Sequence, residues 1–79
     1  MRAVIQRVLS ASVDINNKEH SSIQNGLLIF LGIKNNDTQD DVSYLVNKIS
    51  SIRIFSDKNK KMNLSIQDIV GEIMVISQF

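Results

Sequence analysis

Glu72-Ile73-Met74-Val75-Ile76-Ser77-Gln78-Phe79 closes the 79-residue chain, and four apolar side chains follow one another from Ile73 to Ile76. A short unbroken apolar run is the pattern of a core strand buried on both faces rather than of a half-exposed one. No turn, cap or polar tail follows it, and chains seldom stop inside an element without residues that solvate the end. The expectation is that residues 1–79 form the N-terminal part of a single domain, truncated on its C-terminal side.

Working outward, the terminal strand needs partners, and the chain offers several. Asn25-Gly26 is a strong turn dipeptide that opens Leu27-Leu28-Ile29-Phe30-Leu31, a central strand by its uninterrupted apolar character. Gly32 at the end of that strand suggests a close backbone approach. Residues 2–8 are rich in β-branched side chains, and Ala11-Ser12-Val13-Asp14-Ile15 alternates with period two, so Leu9-Ser10 reads as a bulge or bend in one long strand. Asn16-Asn17-Lys18 is a turn, because asparagine tolerates left-handed backbone, and residues 20–24 are the returning strand of a hairpin. The first strands and the final one are expected to pair within one sheet.

One helix is predicted over about 38–52. Thr38 precedes it, with Asp41 three residues on in a capping-box arrangement, and Val42, Leu45, Val46, Ile49 and Ile52 recur on one face. Asp40 and Asp41 near its start and Lys48 and Arg53 near its end suit the helix dipole. After it, residues 52–55 alternate as a strand, residues 56–61 form a polar loop, Met62-Asn63-Leu64 rejoins the body, and residues 68–71 turn into the terminal strand. The fold class is α+β, with a mixed, barrel-like sheet and one well-defined helix.

Composition removes several classes of function. There is no cysteine, which excludes disulfides and thiolate metal sites, and the single histidine, His20, lies in no His/Glu cluster, so neither a metal nor another cofactor is expected. The longest uncharged apolar run, Gly26 to Ile33, is too short to span a bilayer, and Met1-Arg2-Ala3-Val4 does not open a signal peptide. A cytoplasmic protein without membrane contact is expected. The formal net charge of +1 gives no global pull on a partner. Locally, Arg53, Lys58, Lys60 and Lys61 lie close together, interrupted by Asp57. Such a cluster suits phosphates, but from composition alone the plainer reading is a solvated lysine-rich loop.

No general catalytic motif is present: no dinucleotide-binding glycine fingerprint, no phosphate loop, no metalloprotease helix and no nucleophile elbow. Ser77 has no histidine placed to activate it. The residues by themselves describe a small α+β domain.

Five blocks in order add to this: Arg2-Ala-Val-Ile-Gln-Arg-Val8, Gly26-Leu-Leu-Ile-Phe-Leu-Gly-Ile33, Arg53-Ile-Phe-Ser-Asp57, Lys61-Met-Asn-Leu64 and Val75-Ile-Ser-Gln-Phe79. Together they resemble the D-aminoacyl-tRNA deacylase family, formerly the D-Tyr-tRNA(Tyr) deacylases, across the whole chain. The resemblance implies an esterase, homodimeric at full length, that acts on aminoacyl-tRNA. It places Ser77, Gln78 and Phe79 in the catalytic wall, in a segment that continues with threonine in the family. It places Arg7 near the active site, orienting the partner subunit's Gly-Pro loop, and it makes Lys58, Lys60 and Lys61 candidates for contact with the nucleic acid. The Gly-Pro motif itself has no counterpart here, since the chain contains no proline.

The resemblance also implies a mechanism without a covalent enzyme intermediate. The terminal ribose assists, and backbone N–H groups at a strand end stabilise the oxyanion. Rigid backbone would exclude an L side chain. Each residue keeps a plainer reading beside this one: Ser77 and Gln78 as strand-end polar groups, Phe79 as a core aromatic, Arg7 as a paired or rim-facing arginine, and Met62 and Asn63 as packing and loop-fixing residues. The competing expectation is a non-catalytic remnant that associates through its sheet edge.

Overall fold

The computed structural model describes residues 1–78. In chain order the elements are β1 (Arg2–Val8), β2 (Ala11–Ile15), β3 (Lys18–Ile23), β4 (Gly26–Gly32), α1 (Gln39–Ser51), β5 (Phe55–Ser56), β6 (Met62–Leu64) and β7 (Glu72–Gln78). The frame is a three-stranded mixed sheet in the order β1-β4-β7, with β1 antiparallel and β7 parallel to β4. The first and last strands therefore meet in one sheet, around the apolar run read as central.

Gly26 is what lets that parallel pair begin. A Cβ placed there would fall 1.8 Å from the carbonyl oxygen of Glu72, so only glycine allows the two backbones to close. At Gly32 the nearest atom to such a Cβ is 3.7 Å away, an ordinary contact, so the close approach expected there occurs at Gly26 instead.

β2 and β3 pair as a separate hairpin with a register shift between Val13 and Asp14. Its turn places Asn16 and Asn17 at φ 54° and 66°, the left-handed pair that matches strand twist. Leu9-Ser10 is thus not a bulge in one long strand: the chain leaves β4 there and β2 takes a different partner.

α1 starts where the capping pattern says. The Asp41 carboxylate accepts from the Thr38 N–H at 2.8 Å and from its hydroxyl at 3.3 Å, and the Ile52 N–H closes the other end on the Lys48 carbonyl at 3.1 Å. Ile52 is the C-cap and Arg53 lies beyond the helix. The strand expected over 52–55 contracts to Phe55–Ser56, paired with β6 in a third small sheet.

The core is Leu27, Ile29, Phe55 and Ile66, packed by Ala3, Ile5, Ile49, Ile54, Leu64 and Ile69. It lies on the sheet face that α1, the β5–β6 hairpin and the turn after β6 cover. No residue of α1 is buried. β7 departs from expectation most: Met74 is buried, but Ile73 and Val75 are 44% and 53% exposed. The strand is half-buried rather than buried on both faces, because among the described residues it has a strand neighbour on one side only, and α1 leaves Val75 partly open. The molecule is correspondingly flat, 15 Å along its shortest axis, and its radius of gyration of 14.0 Å exceeds the roughly 12 Å of a compact chain this long.

Candidate functional site

Strand register separates the candidate residues into two groups at opposite ends of the sheet. Arg7 stands opposite Leu27, and Leu27 opposite Ile73; Ala3 stands opposite Leu31, and Leu31 opposite Ser77. The two rows are four residues apart along the strands, about 13 Å at the usual rise. Within one chain, Arg7 and Ser77 do not share a pocket.

At the first end, Ser77 is exposed and Gln78 lies in register with Gly32, which in turn faces Arg2. β7 is an edge strand among the described residues, so alternate residues present N–H and C=O groups to the open side. Phe79, the third expected catalytic residue, lies outside the described residues. The chain start is fastened beside this row: the Met1 ammonium meets Asp37 Oδ1 at 2.7 Å, and Asp37 Oδ2 accepts from the Lys34 N–H at 2.6 Å. The ammonium first, then the backbone donor, holds the Asp37 carboxyl below its ordinary value of 3.8. His20 lies on β3, and among the described residues no hydrogen bond joins it to Ser77.

At the other end, Arg7 Nη1 donates to the Ile54 carbonyl at 2.6 Å. This binds the end of β1 to the chain just ahead of β5. The cavity beside it, about 500 Å³, is lined by Arg7, Val8, Leu9, Asn25, Phe55, Ser56 and Ile69. Past β5, the segment Asp57-Lys58-Asn59-Lys60-Lys61 is not a loose loop. The Asp57 N–H donates to the Lys61 carbonyl at 2.8 Å, and the Asp57 side chain accepts from the Asn59 and Lys61 N–H groups at 2.8 and 3.1 Å. The Lys61 donor, followed by Asn59 and the Asn63 side chain, lowers the Asp57 pKa below 3.8. Lys60 takes φ 60° to complete the turn. Lys58, Lys60 and Lys61 are exposed, on a hairpin whose root Arg7 holds.

The family resemblance puts Arg7 near the active site, orienting a loop of the partner subunit; within one chain it bonds the root of the lysine hairpin. Sequence reasoning misses Asp57 as the organiser of that hairpin. The Asp-x-Asn pattern was the available signal, since such side chains bond backbone two residues on. The cavity-lining Asn25 and Ser56 carry no local signal, because their meeting is purely tertiary.

With this geometry in place, the comparisons with known proteins are specific. A family model described as D-Tyr-tRNA(Tyr) deacylase matches residues 4–79. The D-aminoacyl-tRNA deacylase of Thermosipho melanesiensis is 57% identical over all 79 residues, which are 53% of its length, and that of Azobacteroides pseudotrichonymphae is 58% identical with the same coverage. A solved structure titled c-Myc DNA Unwinding Element Binding Protein superposes with a TM-score of 0.95 at 40% identity, over 100% of this chain and 54% of its own. The chain belongs to the D-Tyr-tRNA(Tyr) deacylase family. It spans about half the length of the curated relatives it matches, aligning with their N-terminal part.

Proposed function

We propose that this chain is the N-terminal part of a single domain that hydrolyses the ester bond of D-aminoacyl-tRNA. Water adds to the ester carbonyl, a tetrahedral oxyanion forms, and its collapse expels the terminal ribose oxygen, which takes up a proton. The products are a free D-amino acid and tRNA. The observation that carries this reading is the family match over residues 4–79 together with 57% identity to a relative named D-aminoacyl-tRNA deacylase.

In this reading the catalytic segment is Ser77, Gln78 and Phe79, acting through main-chain donors at the end of an edge strand, where direction is fixed by sheet pairing. The pairing of β7 with β4, which fixes the direction of its main-chain groups, supports that role. Lys58, Lys60 and Lys61 contact the tRNA phosphates, with Arg7 setting the hairpin that carries them; Arg7 also belongs to the substrate-binding set by its place on the cavity wall. The enzyme is a homodimer in the cytoplasm, and glycine mischarged on tRNA(Ala) is a second substrate. No helix among the described residues is long and apolar enough to cross a membrane.

The non-catalytic remnant is the second reading, favoured by the exposed edge and half-open helix face described above. A deacylation assay with D-Tyr-tRNA, on the 79-residue chain and on a version extended with the remainder of a relative, separates the two. Turnover by the extended version supports the enzyme; inactivity of both supports the remnant.

A further inference from the structure

The cavity at the root of the lysine hairpin combines an apolar wall, polar side chains with free bonding capacity and nearby cations. Its volume of about 500 Å³ falls within the roughly 300–1,000 Å³ of small-ligand pockets. Val8, Leu9 and Ile69 form the apolar side, and Leu9 is 86% exposed where the chain leaves β1. Arg7, Asn25 and Ser56 form the polar side. Among the described residues neither the Asn25 amide nor the Ser56 hydroxyl makes a hydrogen bond, and Arg7 commits only Nη1, to the Ile54 carbonyl. The guanidinium keeps its other donors for a ligand.

Two features fix this wall. The Asn25 carbonyl accepts from the Glu72 N–H at 3.2 Å, beside the point where β4 and β7 begin to pair. Ile69 is held by the turn that Val70 closes at φ 50°, a strained backbone of the kind that clusters at ligand sites. Among the described residues no carboxylate lines this cavity, whereas the polar cavity at the end of α1 includes Asp68 and the one beside the β2–β3 hairpin includes Glu19. A phosphodiester is therefore repelled least beside Arg7, where three exposed lysines stand on the adjoining hairpin.

We propose that this cavity takes one unstacked nucleobase of a single-stranded RNA, at a position within the strand rather than at its esterified end. The base packs on Leu9 and Ile69, the Asn25 amide and Ser56 hydroxyl bond its edge, and Arg7 with the hairpin lysines holds the flanking phosphates. Single-strand binding joins these same two elements, a face for the base and cations for the backbone. Register supports an internal position. The Arg7 row stands about 13 Å along the strands from the Ser77 row, several times the rise of about 3.4 Å per stacked nucleotide. The inference deepens the tRNA reading above and rests on it for the role of the hairpin.

The test measures binding of a short oligoribonucleotide, its 3′ end blocked by phosphate, to the 79-residue chain and to the extended version, by fluorescence anisotropy. A second oligonucleotide carries abasic residues within the strand and keeps every phosphate. The expected result is about fivefold or more weaker binding of the abasic strand by both polypeptides, with the same salt slope. Leu9→Ala, at a side chain too exposed to support the fold, and Asn25→Asp should each remove most of that difference. Val46→Ser, outside the cavity, should leave it unchanged. Equal affinity for the two strands, a difference indifferent to both cavity variants, or a difference confined to the 79-residue chain would each overturn the inference. Base-dependent binding by an extended version that does not deacylate D-Tyr-tRNA would sustain the pocket and defeat the activity, so the two failures are distinguishable.

Discussion

The Arg7 guanidinium donates to the carbonyl of Ile54, 47 residues away, at 2.6 Å. That bond ties the lysine hairpin to the end of β1, alongside the burial of Phe55 in the core, and the tRNA reading depends on that placement. In the extended protein, charge reversal of Lys58, Lys60 and Lys61 should weaken aminoacyl-tRNA binding and lower the salt slope by about 2, the share of three phosphate contacts. Arg7→Ala should give a smaller loss of affinity and faster amide exchange in residues 55–64. Unchanged affinity and slope in the triple variant would reduce the cluster to a solvated turn.

Val70 holds φ 50° while its side chain is 88% exposed. It closes the turn after β6, where the Gly71 N–H reaches the Ile66 carbonyl at 3.0 Å and the Val70 N–H reaches that of Gln67 at 3.1 Å. A β-branched residue in left-handed backbone is strained, and here no burial offsets it. Val70→Gly should raise stability by about 1 kcal/mol, read as a higher denaturation midpoint. A lower midpoint would mean that the valine side chain packs in the folded state.

Gly26→Ala should act in the opposite sense. Its Cβ would meet the Glu72 backbone, which cannot yield without breaking the start of the β4–β7 pairing. A loss of about 3 kcal/mol or more is expected, at the upper end of single substitutions. Equilibrium denaturation of the variant beside the parent chain measures it, and a near-neutral result would contradict the parallel register.

Three carboxylates should make the protein less stable in acid. Asp37 is held below 3.8 by the Met1 ammonium, Asp57 by the Lys61 N–H, and Asp68 by the Ser65 N–H and hydroxyl. Each folded-state value lies below the unfolded one, so the unfolded chain binds protons first as pH falls. The stabilisation is present above about pH 4 and is lost as pH drops through the lowered values. Denaturation midpoints should fall across that range, modestly because the groups are solvent-screened, and Asp57→Asn should lessen the fall.

The elements that were legible in the sequence are those with local causes. Thr38 and Asp41 announce the helix start, Asn16-Asn17 the hairpin turn, and Leu27 to Leu31 the central strand, because each depends on residues within a few positions. β7 was misjudged for a physical reason: apolar character reports what a strand can bury, whereas burial depends on which layers are present to cover it. Among the site residues, Ser77 was assigned to a strand end and lies on one, in an edge strand. Within one chain Arg7 lies at the other end of the sheet, because β1 runs antiparallel to β4 and β7 parallel to it. Register across three strands is not visible in any one of them.

The central claim is that the segment Ser77-Gln78-Phe79 becomes part of an esterase site once the rest of the domain is present. The most direct measurement compares hydrolysis of D-Tyr-tRNA and L-Tyr-tRNA by two polypeptides: the 79-residue chain, and a fusion of residues 1–79 to the remainder of the Thermosipho melanesiensis relative. The expected result is turnover of the D-ester by the fusion, with the L-ester spared and the 79-residue chain no faster than buffer. Equal turnover by both polypeptides, or a folded fusion that leaves D-Tyr-tRNA intact, would contradict the claim.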